Sequence, residues 1–276
     1  MSDIVILSGA RTAIGAFGGS LAGKPPIDLA ATVSKVALER GGVDPALLGQ
    51  VTFGHVINTE PHDMYLSRVA AMDAGVPNGV PAMNVNRLCG SGVQAIISVI
   101  QSLMLGDASF GLAGGAENMS RAPYILPDAR WGAKMGDIAG RDMMLGALNC
   151  PFGTGHMGVT AENVAAEHGI TRAAQDAFAM QSQTCAAAAI EAGYFDEQIV
   201  PIEVKQRRET VLFQRDEHPK ATTIDALSGL RTVFQKDGTV TAGNASGIND
   251  GAAAVVLATA EAAENAGLTP KFRILG

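Results

Sequence analysis

One cysteine in the sequence is placed to act as a nucleophile. Cys89 lies in Asn86-Arg87-Leu88-Cys89-Gly90-Ser91-Gly92, where a short apolar run gives way to a helical pattern. The thiolate is the reactive form of cysteine, and a helix start favours it through unpaired N–H groups and the macrodipole. Gly90 and Gly92 leave room for a substrate against the backbone and permit a strained turn. Serine nucleophiles of hydrolases stand on comparable strand-to-helix elbows. The other reading of Cys89 is a small buried packing residue. Cys150 and Cys185 add no C-x-x-C pair and no disulfide framework. Gly90-Ser91-Gly92-Val93-Gln94-Ala95 also fits G-x-G-x-x-A, the dinucleotide fingerprint. Position weighs against that reading, because the pattern follows a third strand and not a first.

His156, in Gly155-His156-Met157-Gly158, precedes a helical pattern and could meet a ligand or satisfy a loop carbonyl. The remaining histidines (His55, His62, His168, His218) have no metal-ligand spacing, and no metal is expected. Residues 241–251 (TAGNASGINDG) read as ordinary turns or as a backbone cradle beside a site. Lys205, Arg207, Arg208, Arg215, Lys220, Arg231 and Lys236 make a local basic excess, suited to an anionic ligand or to solvent.

The elements that must position these residues follow from periodicity. Strands are predicted at 4–7, 50–57, 82–85 and 109–113, and helices at 27–40, 65–74 and 92–105. This βαβαβαβ order implies a mostly parallel sheet with helices on its faces. From 118 to 247 the alternation stops, and the length of irregular chain marks an inserted subdomain. Within it, helices are predicted at 158–168 and 172–192, the second N-capped by Thr171, and an edge strand or hairpin arm at 200–211. Residues 251–258 (GAAAVVLA) read as a fifth strand rejoining the first sheet, followed by a helix at 261–266.

Of the 276 residues, 47% are hydrophobic and 17% charged, against roughly 25% charged in an average globular chain. That excludes intrinsic disorder. The net charge of −7 argues against a general nucleic-acid binder. No apolar run is expected to reach a membrane-spanning length, and Met1-Ser2-Asp3 lacks the basic start of a signal peptide, so a cytoplasmic protein without membrane partners is expected. The low charge fraction suggests surface covered by further copies of the chain.

Four segments now combine: NRLCGSG (86–92), AGGAENMS (113–120), HMGVTAEN (156–163) and TAGNASGINDGAAA (241–254). Together and in this order they resemble the thiolase family, and within it the short-chain acetyl-CoA acetyltransferases, over essentially the whole chain. The resemblance implies an α/β fold: a mixed five-stranded sheet (βαβαβαββ) with helices on both faces and a long inserted loop subdomain. Its parts would be a core at 1–117, a coenzyme A-binding loop domain at 118–247, and the last strand and helix of the core at 248–276. It implies condensation of two acetyl-CoA molecules to acetoacetyl-CoA, or the reverse thiolysis, through an acyl-cysteine. Acetyl-CoA and coenzyme A are substrates there, with no tightly bound cofactor. Cys89 matches the acyl-accepting nucleophile, its N–H contributing to an oxyanion hole. His156 and Met157 match residues near the pantetheine and acyl end, Ser246 one that contacts the pantetheine, and Leu148, Phe234 and Ala242 positions lining the same tunnel. Where the family carries an arginine toward the nucleotide this sequence has His218-Pro219-Lys220, leaving Lys220 as the nearest substitute.

Family members continue into a second, similar half with G-H-P and C-x-G-G-G motifs that bring a catalytic histidine and a second cysteine. Neither motif occurs in the 276 residues, so the expectation is little or no turnover by this chain alone. The other readings are a 3-ketoacyl-CoA thiolase of broader chain length and a coenzyme A-binding or assembly module without turnover. The third strand and the helix after Cys89 would lie near a dimer seam, and residues 121–137 with Trp131 near a tetramer contact.

Overall fold

Short apolar runs rich in small and β-branched residues pair into one mixed sheet in the computed structural model, which describes residues 3–206 and 208–276. Met1, Ser2 and Arg207 lie outside the described residues; the reading of the N-terminal tripeptide and one member of the basic segment fall there. In chain order the elements begin with β1 (Ile4–Thr12), β2 (Gly15–Ala16), α1 (Pro26–Gly41), β3 (Leu48–Gly54), α2 (Leu66–Asp73), β4 (Ala82–Val85), α3 (Ser91–Leu105) and β5 (Phe110–Asn118). There follow β6 (Tyr124–Ile125), β7 (Arg141–Asp142), α4 (Met143–Leu148), β8 (Asn149–Cys150), β9 (Gly155–His156), α5 (Met157–His168) and α6 (Arg172–Glu191). The last are β10 (Ile199–Val200), β11 (Ile202–Gln206), β12 (Glu209–Phe213), α7 (Ile224–Ser228), β13 (Asn249–Thr259), α8 (Ala260–Asn265) and β14 (Phe272–Arg273).

Two compact units divide the chain. One takes the described residues of Met1–Arg121, Gln198–Arg215 and Asn249–Gly276; the other takes Ala122–Glu197 and Asp216–Ile248. A single insertion at 118–247 was the sequence expectation. Residues 118–121 and 198–215 depart from it because they are bonded into the sheet unit. β10 pairs in parallel with β1, and the Asn118 amide donates to the carbonyls of Leu21 and Lys24. β11 and β12 pair in antiparallel fashion in that same unit.

The strand order in the sheet unit is β10-β1-β13-β5-β3-β4. β3 runs parallel to β4 and β5, whereas β13 is antiparallel to both β1 and β5 and sits between them. The sheet is therefore mixed at its centre, as the family resemblance implies and the βαβ order alone did not. Alternation along β13 sorts its side chains to two faces. Val255 and Leu257 lie with Ile4, Ala113, Val99 and Leu103 in the core under α3. Val256, Ala254 and Ala252 point the other way and are buried as well, on the face where Ser8 Oγ donates to the Ala37 carbonyl of α1. Helices thus cover both faces, and the central strand reads as an unbroken apolar run for that reason.

Leu88–Leu105 is, among the described residues, one stretch long and apolar enough by length and composition to cross a membrane. This corrects the expectation that no run reaches that length. Ala95, Val99 and Leu103 of α3 are buried on the sheet, while Val93, Ile97, Met104 and Leu105 are exposed.

Glycines let α3 lie close to the strands. A Cβ at Gly54, the end of β3, would stand 2.5 Å from the Ser91 carbonyl carbon and 2.7 Å from Gly92 N. At Gly115, paired with Gly54, a Cβ would only touch Gly92 Cα at 3.6 Å, an ordinary contact. Because the obstacles at Gly54 are backbone atoms, Gly54→Ala must displace the first turn of α3. The expected cost is about 1–3 kcal/mol, read as a lower urea midpoint at unchanged slope.

Candidate functional site

Cys89 stands just ahead of α3 and its N-cap Gly90, and four hydrogen bonds hold the chain around it. Asn86 Oδ1 accepts from Leu88 N–H at 3.0 Å. The buried Ser91 Oγ accepts from Arg87 N–H at 2.9 Å and donates to the Leu88 carbonyl at 2.6 Å. Arg87 reaches forward to Gln94 Oε1 at 2.7 Å. Within this frame Leu88 has φ 47°, the one positive value outside glycine among the described residues. A leucine in that region is strained, and such strain persists only where surrounding bonds over-determine it. The result is a tight elbow with the Cys89 side chain exposed. The alternative of a buried packing cysteine is set aside by that exposure.

Polar side chains also gather where β3 and β5 end. Glu117 accepts from the N–H groups of Val56 and Ile57 at 2.9 and 3.0 Å. His55 is buried and donates from Nδ1 to the Ala116 carbonyl at 2.9 Å, with Glu117 Oε1 at 3.5 Å. Its Nε2 faces Asp63 Oδ2 at 3.9 Å. Burial pushes the Glu117 carboxyl above its usual range, opposed by His55 and the two N–H donors.

The second unit holds the other candidates. β8 and β9 form a hairpin that pairs Asn149 with His156, bringing the end of α4, with Leu148, beside the start of α5. His156 is the N-cap of α5, and its Nδ1 accepts from Gly158 N–H at 3.0 Å. Nδ1 therefore carries no proton, and Nε2 is the ring nitrogen left to donate. The Phe234 ring stacks on His156, centroids 4.9 Å apart and planes at 19°. A side chain at Gly158 would collide with that same Phe234 ring, which accounts for the glycine in HMG. Met157 is exposed at the first position of α5. Ala242 and Ser246 are exposed on the 241–248 segment, where Ser246 Oγ donates to the Gly247 carbonyl at 3.2 Å. Lys220 is exposed and is held through its N–H to Gln183 Oε1 on α6 at 2.8 Å. The structure thus joins His156 and Phe234 directly, with Met157 next to His156 in the chain and Leu148 next to Asn149, the residue paired with His156; Lys220 has its anchor elsewhere, on α6.

Sequence reading missed the groups that hold this arrangement. Glu162 on α5, 4% exposed, accepts from Thr239 N–H, Thr239 Oγ1 and Val240 N–H at 2.8–2.9 Å. Asp176 on α6 accepts from Arg172 Nε at 2.7 Å and from Asn244 Nδ2 at 2.9 Å. The Asn244 amide oxygen in turn takes Thr241 N–H. The only signal was position: Glu162 lies in HMGVTAEN and Asn244 in TAGNAS. Cys150 also differs from a plain thiol. The N–H of Phe152 and the hydroxyl and N–H of Thr154 pull it below the ordinary thiol range.

Comparison with known proteins agrees with this geometry. Solved structures superpose on the chain over its whole length. The Bacillus anthracis acetyl-CoA acetyltransferase superposes with a TM-score of 0.95 and 45% identity, over 100% of this chain and 70% of that one. Human mitochondrial 3-ketoacyl-CoA thiolase in complex with CoA gives 0.95 and 40%, over 100% and 69%. Among curated sequences, the Cupriavidus necator beta-ketothiolase BktB is 56% identical over 99% of this chain and 70% of its own length. An Escherichia coli acetyl-CoA acetyltransferase is 48% identical over 99% and 70%. The family description "Thiolase, N-terminal domain" matches residues 4–261. The chain belongs to the thiolase family.

At Glu162, burial raises the carboxyl pKa, but donation from Val240 N–H and from the N–H and hydroxyl of Thr239 outweighs it and holds the pKa below 4.5. A depressed pKa stabilises the fold above the unfolded value and is lost as pH falls through the folded one. Wild type is therefore expected to exceed Glu162→Gln in stability by about 1–3 kcal/mol at pH 7. The gap should narrow below pH 4.5, as read by denaturant midpoints across the acid range.

Proposed function

We propose that the chain acts as an acyl-accepting, coenzyme A-binding part of a thiolase, in condensation of acetyl-CoA to acetoacetyl-CoA or the reverse thiolysis. The observation that carries this reading is the exposed Cys89 on a strained, hydrogen-bonded elbow at the head of α3, in a chain of that family. Relatives named acetyl-CoA acetyltransferase and beta-ketothiolase support the reaction. The likeness to a thiolase solved with CoA supports the ligand.

In this reading the Cys89 thiolate attacks the thioester carbonyl of acetyl-CoA. The carbon–sulfur bond to coenzyme A breaks and an acetyl-cysteine forms, with the coenzyme A thiolate leaving. Covalent capture divides one difficult step into two easier ones. The N–H of Cys89 is the donor suited to the oxyanion, since those of Leu88, Gly90 and Ser91 already serve Asn86, Arg87 and Leu88. His156, Met157, Leu148, Phe234, Ala242 and Ser246 hold the acyl and pantetheine portion, with Lys220 toward the nucleotide. The flat His156–Phe234 stack and exposed Met157 fit a narrow arm of methylene and amide groups. Acyl capture and coenzyme A binding are the steps assigned to these residues. The exposed face of α3 and the edge strand β4 are assigned to a second copy of the chain, which would bury apolar surface otherwise left to water. Unpaired cysteines fit a cytoplasmic setting.

Incubation with acetyl-CoA should add one acetyl group to the intact protein, and Cys89→Ser should abolish the adduct. Measurable CoA binding with no adduct in the wild type would favour a binding module over an acyl acceptor.

A further inference from the structure

Within the second unit, one buried carboxylate determines where an aromatic ring lies. Residues 232–241 form a narrow loop: Thr232 and Thr241 bridge in antiparallel fashion, and Val233 N–H donates to the Val240 carbonyl at 3.1 Å. Phe234 is on the outgoing arm, next to Val233. The returning arm, Thr239 and Val240, ends on Glu162, which takes both N–H groups and the Thr239 hydroxyl. That hydroxyl also receives Gln175 Nε2 at 2.8 Å, so its single proton goes to Glu162 and the α6 side is satisfied as well. Gly238 is the point of closest approach: a side chain there would overlap the Glu162 carboxylate. α5 therefore presents His156 at its cap and, six residues on, the carboxylate that holds the loop whose Phe234 stacks on the His156 ring.

We propose that Glu162 is a positioning residue for the subsite made by His156 and Phe234, setting the stack and with it the direction in which His156 Nε2 can donate to a polar group of the pantetheine arm. This rests on the reading of the preceding subsection for the ligand. Glu162 makes no contact with substrate itself. Only the ionised carboxylate suits the site, because every group facing it on the loop is a donor. A glutamine would turn an NH2 group toward the Thr239 N–H or hydroxyl.

Two readouts on the full chain test this. The first is the NMR shift of the His156 ring protons, which the stacked Phe234 ring displaces upfield. In Glu162→Gln those signals should move downfield toward the positions found in Phe234→Leu. Thr239→Val, which removes only the hydroxyl donation, should move them the same way by less. The second is the Kd for coenzyme A, expected to rise about tenfold in Glu162→Gln, equivalent to about 1.4 kcal/mol. The double variant Glu162→Gln/Phe234→Leu should bind no more weakly than Phe234→Leu alone, because both changes act through one ring. Unmoved ring signals in a folded Glu162→Gln would overturn the proposal. If that variant does not fold, unmoved signals in Thr239→Val would do so, as would additive losses in the double variant. Failure of the wild-type chain to bind coenzyme A would instead sink the underlying assignment of the ligand, while the ring shifts would still decide the role of Glu162 in the stack.

Discussion

Everything at the nucleophile elbow depends on how closely a helix start can approach sheet backbone. Gly54 removes the side chain that would keep α3 away from the end of β3. With that space open, Ser91 sinks to a buried position and its hydroxyl ties together two peptide groups ahead of Cys89. The strained Leu88 backbone is held by those bonds, and the thiol is left on the outside of the bend. Packing of small residues inside the molecule thus becomes exposure of one sulfur at its surface.

The second unit solves a different problem with different means. It has few long strands and much irregular chain, so backbone groups must find side-chain partners. Glu162 and Asp176, both buried, act as collection points for N–H, hydroxyl and amide donors from residues 239–244. Arg172 completes the second of these by bonding Asp176 and the carbonyls of Leu227, Ser228 and Leu230. Buried carboxylates saturated by donors are stable as ions and stiffen loops that would otherwise have little to fix them.

Periodicity made the main frame legible. Ala82–Val85 and the helices at α3, α5 and α6 fall within a residue or so of their predicted bounds, because each has an apolar face or a cap such as Thr171. The central antiparallel strand was harder. GAAAVVLA announces burial but says nothing of direction, and direction depends on a connection of more than a hundred residues. β5 also runs on to Asn118, past the predicted end at 113, since Gly114, Gly115 and Ala116 weaken the apolar signal while pairing fully with β13. Cys89 could be singled out from its neighbours alone. Glu162 could not: a lone glutamate in a helix is ordinarily solvated, and only its distant partners at 239 and 240 show otherwise.

The placement of β13 has a temporal consequence. β1 is made first on the ribosome, yet Arg11 pairs with Ala253 and Ile4 with Thr259, so the middle of the sheet stays empty until nearly all of these residues have emerged. Until then the glycine-rich β5 keeps one edge without its partner, where a foreign strand could dock. Assembly of this unit therefore waits on long-range closure, a topology that slows folding and lengthens the interval in which a chaperone would be of use.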